Sequence, residues 1–248
     1  MGRLARAAGI ARSLALYRGI PFRARRLAQL YAQFLEPGAL AFDIGAHAGN
    51  RVSAFRRLGA RVVAVEPQPD FVALLRSLYG RDPLVTIVPA AVGRAAGDAT
   101  LLVSERTPTV STLSSEWTRR VAEDPAFRGV TWTPGARVSV TTLDELMATH
   151  GLPAFVKLDI EGYEAEALAG LSAAVPALSF EYLATASELA TACIDRLGAL
   201  GHYEYNRSAG ERQRLEETRW LEPDAIRTFL QGLRAGGGSG DVYARLRA

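Results

Sequence analysis

The sequence predicts an α/β fold, a mostly parallel sheet flanked by helices within one large domain. Three observations carry this prediction. Short apolar runs alternate with amphipathic stretches from Leu40 to Gly201, the pattern of βαβ units. The first run ends in a glycine-rich turn that opens a helix. The chain has 248 residues, 48% hydrophobic and 22% charged, which suffices for a sizeable core and excludes disorder and fibrous repeats.

The elements follow in order. Leu40–Ile44 is a short apolar run, and Val52, Phe55 and Leu58 then give a helix face closed by Gly59. Arg61–Val65 is a β-branched strand, and the next helix turns Phe71, Leu74, Leu75 and Leu78 inward and stops at Gly80. Val85–Val92 reads as a third buried strand. Thr100–Ser104 alternates less clearly, and residues 105–136, with Pro108, Pro125, Pro134 and scattered Ser and Thr, read as a long irregular insertion, the kind of loop that serves as lid or substrate loop. Arg137–Val140 is a strand, and Thr142 with Glu145 makes a capping box for the Leu143–Thr149 helix. Phe155–Ile160, Tyr163–Leu171 and Leu178–Leu183 read as strand, helix and strand. Ser187 caps a helix with Leu189, Cys193, Leu197 and Leu200 on one face. Tyr203–Asn206 and Val242–Leu246, separated by a helix near 223–234 and the flexible Gly236–Gly240 loop, read as an antiparallel pair.

Charge is unevenly distributed. Residues 1–35 contain Arg3, Arg6, Arg12, Arg18, Arg23, Arg25 and Arg26 and no acid, leaving 22 basic against 26 acidic residues elsewhere. Residues 1–37 are therefore expected to form a basic helical cap, broken at Pro21, on a mildly acidic α/β body over 38–248. A cap docked on the acidic domain is the favoured reading, and peripheral contact with an anionic membrane surface is the alternative. The mildly acidic body argues against a nucleic-acid partner. The longest stretch without a charge, Ala167–Phe180, is 14 residues and contains Pro176, too short for a transmembrane segment. A single cysteine, Cys193, allows neither an intrachain disulfide nor a Cys-based zinc cluster, so a cytoplasmic setting is expected.

The chemistry concentrates at three strand ends. Asp43-Ile-Gly-Ala-His-Ala-Gly49-Asn50 follows a strand and opens a helix, a context in which glycines let a ligand approach the backbone and helix amides face an anionic group. Its spacing is neither the Gly-x-Gly-x-x-Gly fingerprint nor a Walker loop, which argues against a diphosphate ligand. Glu66 ends the next strand, where a carboxylate can accept from both hydroxyls of a ribose. Asp43 places a negative charge where an ammonium or sulfonium would need it, and S-adenosylmethionine fits both requirements. The third element is Phe155-Val-Lys157-Leu-Asp159-Ile-Glu161-Gly162. Period-2 alternation puts Lys157, Asp159 and Glu161 on one side and Val156, Leu158 and Ile160 in the core. Glu181, at the end of the following strand, lies close enough for these carboxylates to converge on one acceptor hydroxyl or one Mg²⁺ ion. The three histidines, His47, His150 and His202, have no zinc-type spacing, and Ser111–Ser115 lacks a nucleophile-elbow pattern and reads as polar loop or pocket lining.

In this order, Asp43–Asn50, Val65-Glu66-Pro67, Ala90-Ala91-Val92-Gly93 and Lys157–Gly162 resemble the successive motifs of the FkbM family of S-adenosylmethionine-dependent methyltransferases, over about residues 38–183. The resemblance implies a Rossmann-like class I methyltransferase fold, with a seven-stranded sheet of order 3-2-1-4-5-7-6 and an antiparallel last strand. It also implies methyl transfer to a hydroxyl oxygen of a sugar, polyketide or other small natural product, a small-molecule or glycan acceptor. Carried onto this sequence, Asp43, Gly45 and Gly49 line the methionine end, Glu66 the ribose and Ala91 the adenine, with Ala46, His47, Asn50 and Pro67 as further cofactor-binding candidates; family members often carry an aliphatic or amide residue where His47 stands. On the acceptor side Asp159 takes the leading role, helped by Glu161 and Glu181, with Lys157 a further candidate, and a metal-free base is preferred over Mg²⁺. A nucleotide- or NAD-linked oxidoreductase and a non-catalytic S-adenosylmethionine-binding module stay open as alternatives.

Overall fold

The computed structural model describes residues 23–105, 107–210, 212–234 and 237–247. Its centre is a seven-stranded sheet formed by β1 (Leu40–Ile44), β2 (Arg61–Val65), β3 (Val85–Val88), β7 (Phe155–Leu158), β8 (Ala177–Leu183), β9 (Tyr203–Ala209) and β10 (Ser239–Leu246), in the spatial order β3-β2-β1-β7-β8-β10-β9. Counting only these strands along the chain, the order is 3-2-1-4-5-7-6. The first five are parallel, and β10 runs antiparallel to both β8 and β9.

Alternation within the strands makes three layers. Along β1, Phe42 and Ile44 face one side and Ala41 the other. The larger core holds Phe42, Val63, Leu158 and Phe180 beneath α5 (Leu143–His150), α6 (Glu164–Ala169), α7 (Ser187–Leu200) and α8 (Pro223–Gly232). On the opposite face, Ala41, Ala64 and Phe155 pack under α1 (Arg23–Tyr31) and α2 (Asn50–Arg57). Tyr31 reaches Phe55 and Phe155 with ring centroids 4.8 and 5.3 Å apart, contacts that fasten α1 to the sheet. The basic residues expected to open the cap, up to residue 22, lie outside the described residues. No helix among the described residues is long and apolar enough to cross a membrane.

Several expectations need correction. The run expected as one buried strand, Val85–Val92, is two: Pro89 cannot donate to a ladder, and the chain leaves β3, a half-buried edge strand, to form β4 (Ala91–Val92) in a second sheet. That sheet, of order β4-β6-β5, joins β5 (Gly97–Val103) antiparallel to β6 (Thr133–Thr141), so part of the supposedly irregular insertion is strand. The insertion also contains α4 (Ser115–Val121), capped by the Ser114 hydroxyl, which accepts from the Trp117 amide at 3.0 Å. In α3 (Pro69–Tyr79) the buried face is Phe71, Val72, Leu75 and Tyr79, while Leu78 is exposed. Ser187 begins α7 rather than capping it. The Thr142–Glu145 capping box is present, with Thr142 Oγ1 accepting from the Glu145 amide at 3.1 Å.

Candidate active site

Two clefts lie near the C-terminal ends of the parallel strands, where sheet topology reverses and ligand crevices form. The first is walled by Gly45, His47, Glu66, Ala91, Asp159 and Tyr163 and roofed by Thr109–Leu113 of the insertion. The second, of about 420 Å³, has Glu161 and Glu181 on one side and Trp117 and Phe127 on the other.

The turn after β1 is built by backbone demands. Gly45, His47 and Gly49 have φ of 81°, 49° and 79°. A Cβ on Gly45 would meet the Asp159 carbonyl at 2.0 Å, and one on Gly49 would meet the Tyr79 ring at 2.7 Å. These glycines are thus required for turn-on-turn and turn-on-helix packing, a different reason from the ligand approach expected of them. Glu66 braces the same turn: its two carboxylate oxygens accept from the amides of His47 at 2.9 Å and Gln68 at 2.8 Å. Each oxygen keeps a second lone pair for a ligand hydroxyl. Burial pushes the Glu66 pKa up to about 7 against those two hydrogen bonds. The His47 ring lies 3.7 Å from the Phe71 ring, centroid to centroid and tilted at 41° to it, and burial lowers its pKa to about 4.

Asp43, Ala46, Gly49 and Asn50 stand behind the first cleft rather than on its wall. Ala46 belongs to the core under α2. Asp43 is 1% exposed, and neither of its carboxylate oxygens completes a hydrogen bond. Burial raises its pKa to about 6, Asp159 adds to the rise, and Arg51, Lys157 and the Val52 amide oppose it. Pro67 and Ala91 line the cleft.

The expected alternation at the end of β7 holds only in part. The strand stops at Leu158, and the Asp159 amide extends the ladder by donating to the Ile44 carbonyl at 3.0 Å. Glu161 (φ 54°) and Gly162 (φ 81°) then form a left-handed turn, so Glu161 is aimed by that turn and not by strand period. A Cβ on Gly162 would lie 2.1 Å from Trp117, and Thr112 donates its hydroxyl to the Glu161 carbonyl at 2.7 Å; both contacts dock the insertion on the turn. Glu164 closes it by accepting from the Ile160 amide at 3.0 Å. The result brings carboxylate oxygens of Asp159, Glu161 and Glu181 within 4.8 Å of one another.

The three acids are not equivalent. Burial works to raise Asp159, but Lys157 and Arg51 overcome it and hold its carboxyl below the usual range. Arg51 Nη1 is 3.1 Å and Lys157 Nζ 3.7 Å from Asp159 Oδ2. Burial and mutual repulsion push Glu161 and Glu181 well above the usual carboxylate range. Lys157 touches neither cleft. Wholly buried, it donates to the Leu158 carbonyl at 2.9 Å and to Asp241 Oδ1 at 2.8 Å. Arg51, Asp241, Gln68, Trp117 and Glu164 are the site residues that sequence reasoning missed.

A sequence model described as "Methyltransferase FkbM domain" matches residues 43–231. The chain belongs to the FkbM methyltransferase family. Among solved structures it is similar to the O-methyltransferase from Bacillus cereus in complex with S-adenosylhomocysteine (12% identity, 99% of this chain and 90% of that one, TM-score 0.47). It is similar also to a TehB-like S-adenosylmethionine-dependent methyltransferase from Corynebacterium glutamicum (11%, 97% and 96%, 0.46) and to a precorrin-6y C5,15-methyltransferase from Geobacter metallireducens (13%, 91% and 87%, 0.43). No curated protein sequence matches the chain. As an FkbM methyltransferase the protein uses S-adenosylmethionine, and the residues of the first cleft fit that group. Glu66 offers two buried acceptor oxygens, and Asp159 on the cleft wall, with the buried Asp43 behind it, supplies the negative charge that a sulfonium and an ammonium require. Family membership leaves the oxidoreductase alternative without support.

Proposed function

We propose that this FkbM methyltransferase O-methylates a hydroxyl of a small-molecule or glycan acceptor held in the second cleft. The observation that carries the reading is the division of carboxylates between adjoining clefts: Asp159 on the cofactor side, Glu161 and Glu181 on the other. Bound S-adenosylmethionine supplies an electrophilic methyl carbon. The chain must align the acceptor and remove one proton from it. Asp159, kept ionised by Lys157 and Arg51, is a poor base and a good fixed countercharge for the cofactor. Glu161 and Glu181, whose pKa values burial and neighbouring acids raise, are the more basic carboxylates of the three once ionised. This differs from the sequence-based assignment, which gave Asp159 the leading role. The aromatic wall of Trp117 and Phe127, their rings 5.3 Å apart and edge-on, offers a face for a ring-bearing acceptor.

Thr109, Ser111, Thr112 and Leu113 of the insertion line the first cleft. The insertion's tethers are Gln68 Nε2 donating to the Pro108 carbonyl at 3.1 Å and the Thr112 contact to Glu161. A net-negative body and one buried free cysteine support a small acceptor rather than nucleic acid, and a reducing, cytoplasmic setting.

The test is transfer of a methyl label from S-adenosylmethionine to a panel of hydroxyl-, amine- and carbon-acceptor compounds, with and without EDTA. Label recovered in a base-stable ether, unaffected by EDTA, is the expected result. Label only on nitrogen or carbon would overturn O-methylation. Loss with EDTA and recovery with Mg²⁺ would turn the carboxylate trio from proton acceptor to cation ligand.

A further inference from the structure

We propose that the groove between α1 and the loop after β9 is a binding site for an anionic, hydroxyl-rich ligand, a sugar chain bearing carboxylate or phosphate groups. The groove, of about 730 Å³, has Arg26, Gln29 and Gln33 on one side and Arg212, Gln213 and Arg214 on the other. Leu30 and Leu215 close its floor by packing into the core under α1. Arg26 and Arg214 are exposed, and among the described residues neither has an ion-pair partner. Arg212 pairs with Glu216 at 3.3 Å, largely in solvent. The acids of the same loop, Glu216 and Glu217, are held by Arg207, and Glu211 lies outside the described residues. Three guanidiniums therefore line one groove, and two of them keep their full capacity for bidentate pairing with a carboxylate or phosphate.

The other side chains narrow the ligand. Gln29, Gln33 and Gln213 both donate and accept, as hydroxyls require and a bare anion does not. Gln33 spends its amide nitrogen on the Leu30 carbonyl at 2.8 Å, which leaves its oxygen as an acceptor. Gln213 holds φ at 55°, a left-handed turn position that Gly or Asn fills more easily, yet the chain places a longer amide there. Among the described residues no aromatic side chain lines the groove to stack a base, and no exposed apolar one to enter a lipid layer. Position points the same way. Gly210 donates its amide to the Ser239 carbonyl at 2.7 Å, and Ser239 lines the second cleft. Glu181, Asp241 and Ser208 are register partners across β8, β10 and β9, so Glu181 and the start of the loop stand two strand spacings, about 10 Å, apart. The second cleft is lined by Asp124, Glu161 and Glu181 and by no basic residue. An anionic group on a bound chain is repelled there and attracted to the groove. On the acceptor reading above, on which this point alone rests, the acceptor is an anionic glycan with its charge in the groove and its reacting hydroxyl at Glu161 and Glu181.

Titration calorimetry on the full chain compares trigalacturonate, the neutral trisaccharide maltotriose, and vesicles of phosphatidylglycerol and phosphatidylcholine in equal parts. Trigalacturonate is expected to bind about tenfold or more tightly than maltotriose and to weaken as salt rises. The double variant Arg26→Gln, Arg214→Gln is expected to lose about tenfold or more of that affinity, with S-adenosylhomocysteine binding unchanged. Equal affinity for the two trisaccharides, no binding of trigalacturonate, or an unaltered affinity in the double variant would overturn the proposal. Vesicle binding that the double variant loses, without binding of trigalacturonate, would overturn it in favour of a membrane surface. Phe127→Ala, on the far wall of the second cleft, is expected to weaken trigalacturonate and to leave the single sugar galacturonate unchanged. If it changes neither while the arginine variant weakens both, the groove stands and the acceptor reading falls.

Discussion

Glu161→Gln and Glu181→Gln are each expected to lower kcat by about 10²–10⁴-fold, the usual worth of a positioned general base, while S-adenosylmethionine binding stays within twofold. Steady-state kinetics alongside calorimetry separates the two effects. Because the carboxylates act as a unit, the double variant should be little worse than the poorer single one. The pH dependence carries a sign. In the unaltered protein the pair holds its proton above the ordinary carboxylate range, so kcat/KM rises with pH, on a limb displaced upward from that range. Glu181→Gln removes a like charge from Glu161, which lowers the remaining pKa and should move the limb to lower pH. An unmoved limb with near-normal kcat would remove both residues from the chemistry.

The largest stability effect is expected from Lys157→Met. Lys157 is 0% exposed and pairs with Asp241 at 2.8 Å and Asp159 at 3.7 Å. Removing one partner of a buried pair leaves uncompensated charge and costs about 3–5 kcal/mol, or a fall of about 10 °C in Tm for a domain of this size. Burial works to lower the Lys157 pKa, but its acidic neighbours raise it above the usual lysine range. Its contribution is therefore complete below the ordinary lysine pKa and is lost only at higher pH. Asp159 has a lowered pKa, so its share is present above the ordinary carboxylate range and disappears as pH falls below it. The stability gap between the two proteins should be flat through neutrality and narrow in acid. Chemical denaturation at several pH values measures it, and a gap that widened on acidification would contradict the pairing.

How much of this was legible in the sequence depended on the range over which each signal acts. The strand–helix alternation, the Asp43–Asn50 turn and Glu66 were readable because local pattern alone puts them at adjacent strand ends. Asp159 and Glu181 were readable for the same reason. The partner of Lys157 was not: Asp241 is 84 residues away, and only the insertion of β10 between β8 and β9 brings it near. Arg51 was hidden among the 29 basic residues, all but one of them arginine, where no single arginine is conspicuous. The second sheet was missed because β6 is mostly exposed and β5 buries only two of its residues, so neither shows a clear apolar alternation. The seven-residue α4 is too short for a periodic signal, though Ser114 and the buried Trp117 and Val121 mark it in hindsight. Glu161 was placed correctly among the acids for the wrong reason, since a left-handed turn and not strand period directs it.

The central claim is that the cleft between Gly45, Glu66 and Asp159 holds the cofactor with its reactive end toward Glu161 and Glu181. A crystal structure of the complex with S-adenosylhomocysteine tests it most directly. The account predicts both ribose hydroxyls donating to the Glu66 carboxylate, the adenine against Ala91, and the sulfur facing the second cleft. A ligand seated elsewhere, or a Glu66 carboxylate beyond hydrogen-bond reach of the ribose, would contradict it.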